Sequence, residues 1–366
     1  MPDAARPAPI SGRAILDVTA PVRIADCGGW TDTWFARAGI VCSIAVEPAI
    51  RVRLLSAGAV RGDSRLTVAA TGDSYLVPVA GPPGRHPLLE SVIARYRPRS
   101  PLEIVVESAV PAGSGMGTSA AVVVALLAAL RAHQASEPDG AEPDGAEPAA
   151  LAAEAHGIET RLGLQSGVQD QFAAAFGRIG RITVDYPHGQ WHEVPVRVSM
   201  MARLERQLLT VYLGRPHMSS SVHDLVIARL QSVDDAEPWL APLRNAAERA
   251  AIALSAGDLV GFGAALNANT DAQAALHPDL ISDDARRLAK LARRHGALGL
   301  KVNGAGGEGG TVTILTGDDP APLRSVIAST PGLTVLDLRI AGRGVTVTSP
   351  PTGSTWADWA YRDVHP

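Results

Sequence analysis

The sequence predicts a mixed α and β chain of two domains. Three observations carry that expectation. The 366 residues are about twice a common domain length. Short runs rich in β-branched residues alternate with alanine-rich apolar runs of helical length. Near residue 200 the rhythm changes from a strand-rich half to one of consecutive helices. The expected domains are therefore residues 13–200 and 201–355.

The elements follow in order. Residues 1–12 read as a loose tail. RAILDVTAPVRIA (13–25) and GIVCSIAVEPAIRVRLLS (39–56) read as strands, as do LTVAATG (66–72), SYLVPVA (74–80) and LEIVVESAV (102–110). PLLESVIARYRP (87–98) is a short helix closed by Pro98. A glycine-rich loop then runs into an apolar helix reaching about His133. SEPDGAEPDGAEPAA (136–150) repeats PDGAE, and its acidic Pro-Gly composition suits a solvated loop between helices. Helices are expected over 150–164 and from SGVQDQFAAAFG (166–177), with strands in GRITVDY (180–186) and HEVPVRV (192–198). QLLTVYLG (207–214) opens the second half as a buried strand. Helices follow around 222–231, 238–255, 258–275 and 282–295. GLTVLDLRIAGRGVTVTS (332–349) reads as two strands around a glycine turn.

Composition narrows the function. The chain is 46% hydrophobic and 19% charged with a net charge of −4, an ordinary globular balance. That charge argues against nucleic acid or an anionic membrane as the main partner. The first residues lack a basic segment followed by an apolar one, so no secretory leader is expected. The longest apolar run, Ala120 to Leu130, is 11 residues, too short to cross a bilayer. A cytoplasmic location is the expectation. Cys27 and Cys42 are expected to be reduced and buried. His217 and His223 read as ordinary surface or core residues rather than a zinc pair.

The most informative stretch is VPAGSGMGTSAA (110–121). Glycines let a backbone approach a ligand closely. A loop that ends at a helix start also presents unpaired N–H groups beside the positive end of the helix dipole. The two features make an anion cradle, most often for phosphate. Thr118 or Ser119 is a natural N-cap. A Walker A loop is excluded because no Gly-Lys-Ser/Thr occurs here, and Thr118 breaks a GxGxxG fingerprint.

The segment Pro111-Ala-Gly113-Ser114-Gly115-Met116-Gly117-Thr118-Ser119-Ala120 resembles the phosphate motif Pro-x-x-x-Gly-Leu-Gly-Ser-Ser-Ala of the GHMP kinases. Met116 and Thr118 are mild departures. APVRIADCGGWTDT (20–33) is similar to that family's first motif. KVNGAGGEGGTVTIL (301–315) is similar to its third, a glycine-rich turn between a helix and a strand. All three stand in the family's order, across about 13–350. Within the family, GGWTDT (28–33) resembles the kinase part of fucokinase, and QDQFAAAFG (169–177) resembles D-glycero-D-manno-heptose 7-phosphate kinase.

The resemblance implies an α+β, two-domain GHMP kinase fold. Its N-terminal half would be ribosomal protein S5 domain 2-like and its C-terminal half ferredoxin-like, with the active site between them. It implies a kinase that uses ATP and Mg2+ to phosphorylate the anomeric hydroxyl of a small sugar or sugar phosphate, foremost a heptose 7-phosphate-type substrate, with a fucokinase-like or other hexose 1-kinase as the alternative, as a monomer or homodimer. A non-catalytic sugar and nucleotide sensor, or a decarboxylase of the same fold, are the alternatives. Residues 111 and 113–119 would hold ATP, and Ser119 with Glu159, or Glu154 in its place, would hold the metal. Asp170 would be the catalytic carboxylate, and Arg23, at the basic position of the first motif, would activate the attacking hydroxyl and stabilise the transferring charge. Gly28, Gly29, Trp30, Thr31, Asp32 and Asp170 would line the sugar site. Gly304, Ala305, Gly306 and Gly307 would close over it, with Glu308 expected to point outward. Arg215, with Ser219 and Ser220, is the candidate for a substrate phosphate.

Overall fold

The structure, a computed structural model, describes residues 12–57, 62–78, 83–136, 147–164, 166–217 and 219–351. The expected tail and nearly all of the PDGAE repeat lie outside these residues, as do the side chains of Ser219 and Ser220.

A long antiparallel pair, β1 (Ala14–Cys27) and β2 (Ala38–Ser56), is the spine of a nine-stranded sheet. The first half of β1 alternates in burial, as a half-covered strand does; from Ala20 to Cys27 every residue is buried. Register shifts between Ala20 and Val22, and between Ile24 and Cys27, bend the strand where it enters the site. β3 (Ser64–Val68) and β4 (Asp73–Val77) form a hairpin, and β3 runs parallel to β5 (Leu102–Ser108), which pairs with β2. β6 (Ile179–Asp185) pairs with the first part of β2 and carries β7 (His188–Glu193).

Helices α1 (Pro87–Tyr96), α2 (Thr118–Ala135), α3 (Pro148–Arg161) and α4 (Gln169–Phe176) belong to this half. α2 is apolar on every side in its middle because it is buried there: Ala121 and the run Val123 to Leu127 have no exposed surface. Its 18 residues and mean hydropathy of 1.3 would suit a membrane span, but here that surface belongs to the protein core.

α5 (Val198–Gln207) leads into a second sheet of β8 (Leu208–Tyr212), β9 (Gly299–Val302), β10 (Thr311–Leu315) and β11 (Thr334–Leu336). Its order is β11-β8-β10-β9, all antiparallel. α6 (Ser219–Gln231), α7 (Glu237–Ala256), α8 (Leu259–Leu276) and α9 (Asp283–Arg294) link β8 to β9, and α10 (Ala321–Ala328) links β10 to β11. This is a ferredoxin-like order with extra helices in the first crossover. α9 shows why these residues form a helix. Ser282 caps it by accepting from the Ala285 N–H, Asp283 and Asp284 sit in its first turn, and Arg293 and Arg294 in its last.

Three expectations need correction. The segment 332–349 is not a hairpin: β11 joins the second sheet, while β12 (Arg339–Ile340) pairs with β2 and β13 (Thr346–Thr348) with β1. The third glycine run lies between strands β9 and β10 rather than between a helix and a strand, because Gly299–Val302 completes the second sheet. The strand expected at 192–198 lies earlier, as β7, and ends at Glu193. Cys27 and Cys42 are register partners on β1 and β2, both buried thiols.

Candidate active site

The glycine loop between β5 and α2 is built by left-handed backbone. Gly113, Gly115 and Gly117 have φ of +66°, +72° and +75°, a region side chains make costly. A Cβ on Gly117 would also stand 2.9 Å from Asp170 Cγ. Gly117 is itself the N-cap residue of α2, with no side-chain cap. The expected capping role of Thr118 or Ser119 is therefore corrected: a left-handed glycine takes the cap position and both hydroxyls sit inside the first turn. The loop's carbonyls are committed outward. Gly113 O accepts from the His217 N–H (2.7 Å), Ser114 O from Thr311 Oγ1 (2.8 Å), Gly115 O from the Arg23 guanidinium, and Met116 O from the Arg23 N–H (3.0 Å). With its carbonyls so used, the loop and the first turn of α2 line a cleft of about 540 Å³, where helix N-terminal N–H groups have no helical acceptor.

Behind the loop lies a buried charge cluster. Arg23, 3% exposed, comes from the buried half of β1, and its Nε donates to Asp170 Oδ1 at 2.8 Å. Its Nη1 is 3.8 Å from Asp26 Oδ1. Burial opposes its charge, but Asp170, Asp26 and Asp32 outweigh that and push its pKa up. Asp170 stands in the first turn of α4, against Gly117. Asp26 accepts from the Gly304 N–H at 3.1 Å and lies 3.8 Å from Nζ of Lys301, itself wholly buried. Burial pulls the Lys301 pKa down, while Asp26 opposes the shift.

The other end of the cleft is built by the β1–β2 loop. Gly28 has φ +88°, and a Cβ there would collide with the Ile40 carbonyl; its N–H donates to Asn269 Oδ1 at 2.7 Å. Thr31, fully buried, ties the turn by donating to Gly28 O at 2.7 Å. This presents Asp32, 1% exposed, whose Oδ2 accepts from the Gln169 N–H at 3.0 Å. Burial pushes the Asp32 carboxyl up to about 6, against the Gln169 hydrogen bond. Trp30 wedges into an apolar cluster with Val222, Val226 and Leu276, its ring edge-on to His223 at 4.9 Å. Trp30, Asp32, His217, His223 and Asp224 all line the cleft.

Residues 87–178, from α1 to just past α4, match the family described as GHMP kinases N terminal domain. The chain has the GHMP kinase fold. A D-glycero-D-manno-heptose 1-phosphate kinase from Bacteriodes thetaiotaomicron superposes with a TM-score of 0.69 at 19% identity, covering 92% of this chain and 100% of its own. The Methanococcus jannaschii mevalonate kinase gives 0.70 at 14% identity, with 90% and 99% covered. A Lactococcus lactis galactokinase complexed with galactose gives 0.65 at 17% identity, with 91% and 95% covered. No curated protein matches the sequence.

On this GHMP kinase fold the residues singled out from the sequence divide into three groups. Arg23, Trp30, Asp32, Glu159, Asp170, residues 113–119, Gly304 and Ala305 come together around one cleft. Pro111, Gly28, Gly29 and Thr31 do not line it; they shape the turns that do. Gly306 and Gly307 are corrected: they pack against Leu280 and Val222 as turn residues. Arg215 is corrected too. It pairs with Asp284 and, at 3.0 Å, with Glu308, outside the cleft lining. Glu308 is 68% exposed at that pair. Glu154 is corrected as a metal ligand, since Arg95 and Tyr96 of α1 and Arg131 of α2 take up its carboxylate. Glu159, one turn further and on another face of the helix, is 4% exposed and accepts from Gln171 Nε2 at 2.7 Å. Burial pushes its carboxyl up to about 7.

Sequence reasoning missed four features. Asp26 and Lys301 lie within quoted motifs but need each other across the fold. His217 and Asp224 were given no role in the site. A second, largely apolar pocket of about 280 Å³ shares Thr118 and Ser119 with the cleft and is lined by Val68, Leu89, Val106 and Val122.

Proposed function

We propose that this protein is an ATP-dependent kinase that transfers a phosphoryl group to the anomeric hydroxyl of a sugar. The observation that carries the reading is the Arg23–Asp170 pair standing against Gly117, where a base and a cation meet a glycine loop built to hold phosphate. Phosphoryl transfer asks the protein mainly for positioning and charge stabilisation. The N–H groups of the loop and of the first turn of α2 hold the ATP phosphates, and the positive end of the helix favours them. The apolar pocket beside Thr118 and Ser119 takes the purine. Asp170 accepts the proton of the attacking hydroxyl, and Arg23 fixes the carboxylate's orientation while placing positive charge beside the transferred group.

Asp32, with its remaining lone pairs, accepts hydrogen bonds from the sugar. Ser119 and Glu159 suit Mg2+, which prefers oxygen ligands and takes only one or two from the protein beside the nucleotide phosphates. A carboxyl that burial pushes toward protonation is one a cation would return to its charged form. Bound there, Mg2+ would neutralise phosphate charge. The halves 13–200 and 201–355 would then meet at this cleft, except that residues 339–348 of the second return to the first sheet, in a monomer or homodimer in the cytoplasm.

The test is ADP release from ATP over a panel of hexoses and heptoses, with NMR of the product. Turnover giving a sugar 1-phosphate is expected. Phosphate at any other position would overturn the anomeric assignment, and failure of every sugar would overturn the kinase reading.

A further inference from the structure

The geometry points to an unphosphorylated sugar as the acceptor, read in part by His217, rather than a sugar already carrying a phosphate. This rests on the sugar-kinase reading above and narrows its substrate class.

The first observation is charge. Among the described residues lining the cleft, four are carboxylates: Asp32, Glu159, Asp170 and Asp224. The one Lys or Arg there is Arg23, which is already spent on Asp170 and the Gly115 carbonyl. Even with a cation at Glu159, three carboxylates remain. Arg215, the guanidinium the sequence offers for a second phosphate, is held by Asp284 and Glu308 outside the lining. A phosphate dianion placed beyond the reach of the loop N–H groups would meet Asp32 and Asp224, and among the described lining residues no unpaired Lys or Arg would receive it.

The second observation is unmet hydrogen-bonding capacity. His217 Nε2 and Gln169 Oε1 are buried with no partner, on residues lining the cleft. Buried polar atoms are normally paired, so these two mark places a ligand fills. The other ring nitrogen of His217 is engaged by the backbone of Glu308, and burial pulls the ring's pKa below its ordinary value. The ring is neutral at neutral pH, and the backbone bond, which favours the protonated ring, leaves Nε2 as an acceptor. Trp30 Nε1, also buried and unpartnered, is a donor for a ring or hydroxyl oxygen. Neutral acceptors on His217 and Gln169, the Asp32 carboxylate and the Trp30 N–H together complement a molecule rich in O–H groups. Backbone contacts fix the placement of His217: its N–H donates to Gly113 O, and its side chain lies over Gly307 and Gly310.

The test is calorimetric binding of matched pairs in the presence of a non-hydrolysable ATP analogue: mannose against mannose 6-phosphate, and D-glycero-D-manno-heptose against its 7-phosphate. ADP release is measured on the same compounds with ATP. The unphosphorylated member of each responsive pair should bind about tenfold tighter or better. His217→Leu should raise the KM for sugar about tenfold with the KM for ATP within about twofold, and His217→Gln, which keeps a neutral acceptor, should recover most of the loss. Tighter binding or higher kcat/KM with the phosphorylated member would overturn the inference, as would a His217→Leu effect confined to ATP. Sugar binding without ADP release would overturn the kinase reading and leave this inference standing. Absence of binding by either form of every pair would overturn both.

Discussion

Asp32 is held at a cost. Its carboxyl is buried and pushed from an ordinary 3.8 up to about 6. A pKa raised on folding means that the native state favours the proton. The associated stability is complete below about pH 3.8 and lost as the pH rises through about 6. Asp32→Asn should therefore melt higher than the parent at pH 8 in the absence of ligand, with the gap closing by pH 5; thermal melts at both values check it. Sugar affinity should fall in the variant, because a charged acceptor is lost. Asp170→Asn should lower kcat by about 10²- to 10⁴-fold with little change in the KM for ATP, read by steady-state kinetics. Arg23, Asp32 and Asp170 could be singled out because each sits in a short motif that resembles one of the GHMP kinases, and the fold brings all three to one cleft. Asp26 and Lys301 were not, because a charge 275 residues away in the chain has no local signature.

Element by element, the sequence was readable wherever period and composition agreed. α2, α7, α8 and α9 fall within a few residues of their expected ranges. α10 is only eight residues long and gave little periodicity, and α5, which buries only Leu204 and Gln207, has its first residue in the segment read as a strand. The segment 332–349 was misread because strand propensity says nothing of which sheet a strand joins; β12 and β13 owe their partners to tertiary contact. The glycine loop owes its shape to the elements beside it as much as to its own residues. Gly117→Ala should place a methyl in left-handed backbone, at about 1–2 kcal/mol, and push Asp170 aside. A fall of about tenfold or more in kcat/KM, with the fold retained by circular dichroism, is expected. Unchanged kinetics would mean that Asp170 tolerates the displacement.

Across the whole molecule, the three glycine motifs converge through buried polar contacts that join the two halves. The Ala25 N–H donates to Asn303 Oδ1 at 3.0 Å, the Gly304 N–H to Asp26, and Thr311 Oγ1 to Ser114 O. Asp26→Ala would strand Lys301 without its carboxylate and leave the Gly304 N–H unpaired. Breaking a buried pair costs about 3–5 kcal/mol, so urea denaturation should show a loss of that order. A loss below about 1 kcal/mol would mean that Asp26 does not hold the halves together.

The strand β13 carries a consequence for synthesis. It is the last described strand, yet it lies beside β1, the first, pairing Asp17 with Thr348 and Thr19 with Thr346. On the ribosome, one edge of β1 must wait for nearly the entire chain before its neighbour emerges. Any product stopped short of residue 346 leaves that backbone row open, a ready template for another nascent chain. Premature termination late in the message should thus give aggregates rather than a shortened, working protein.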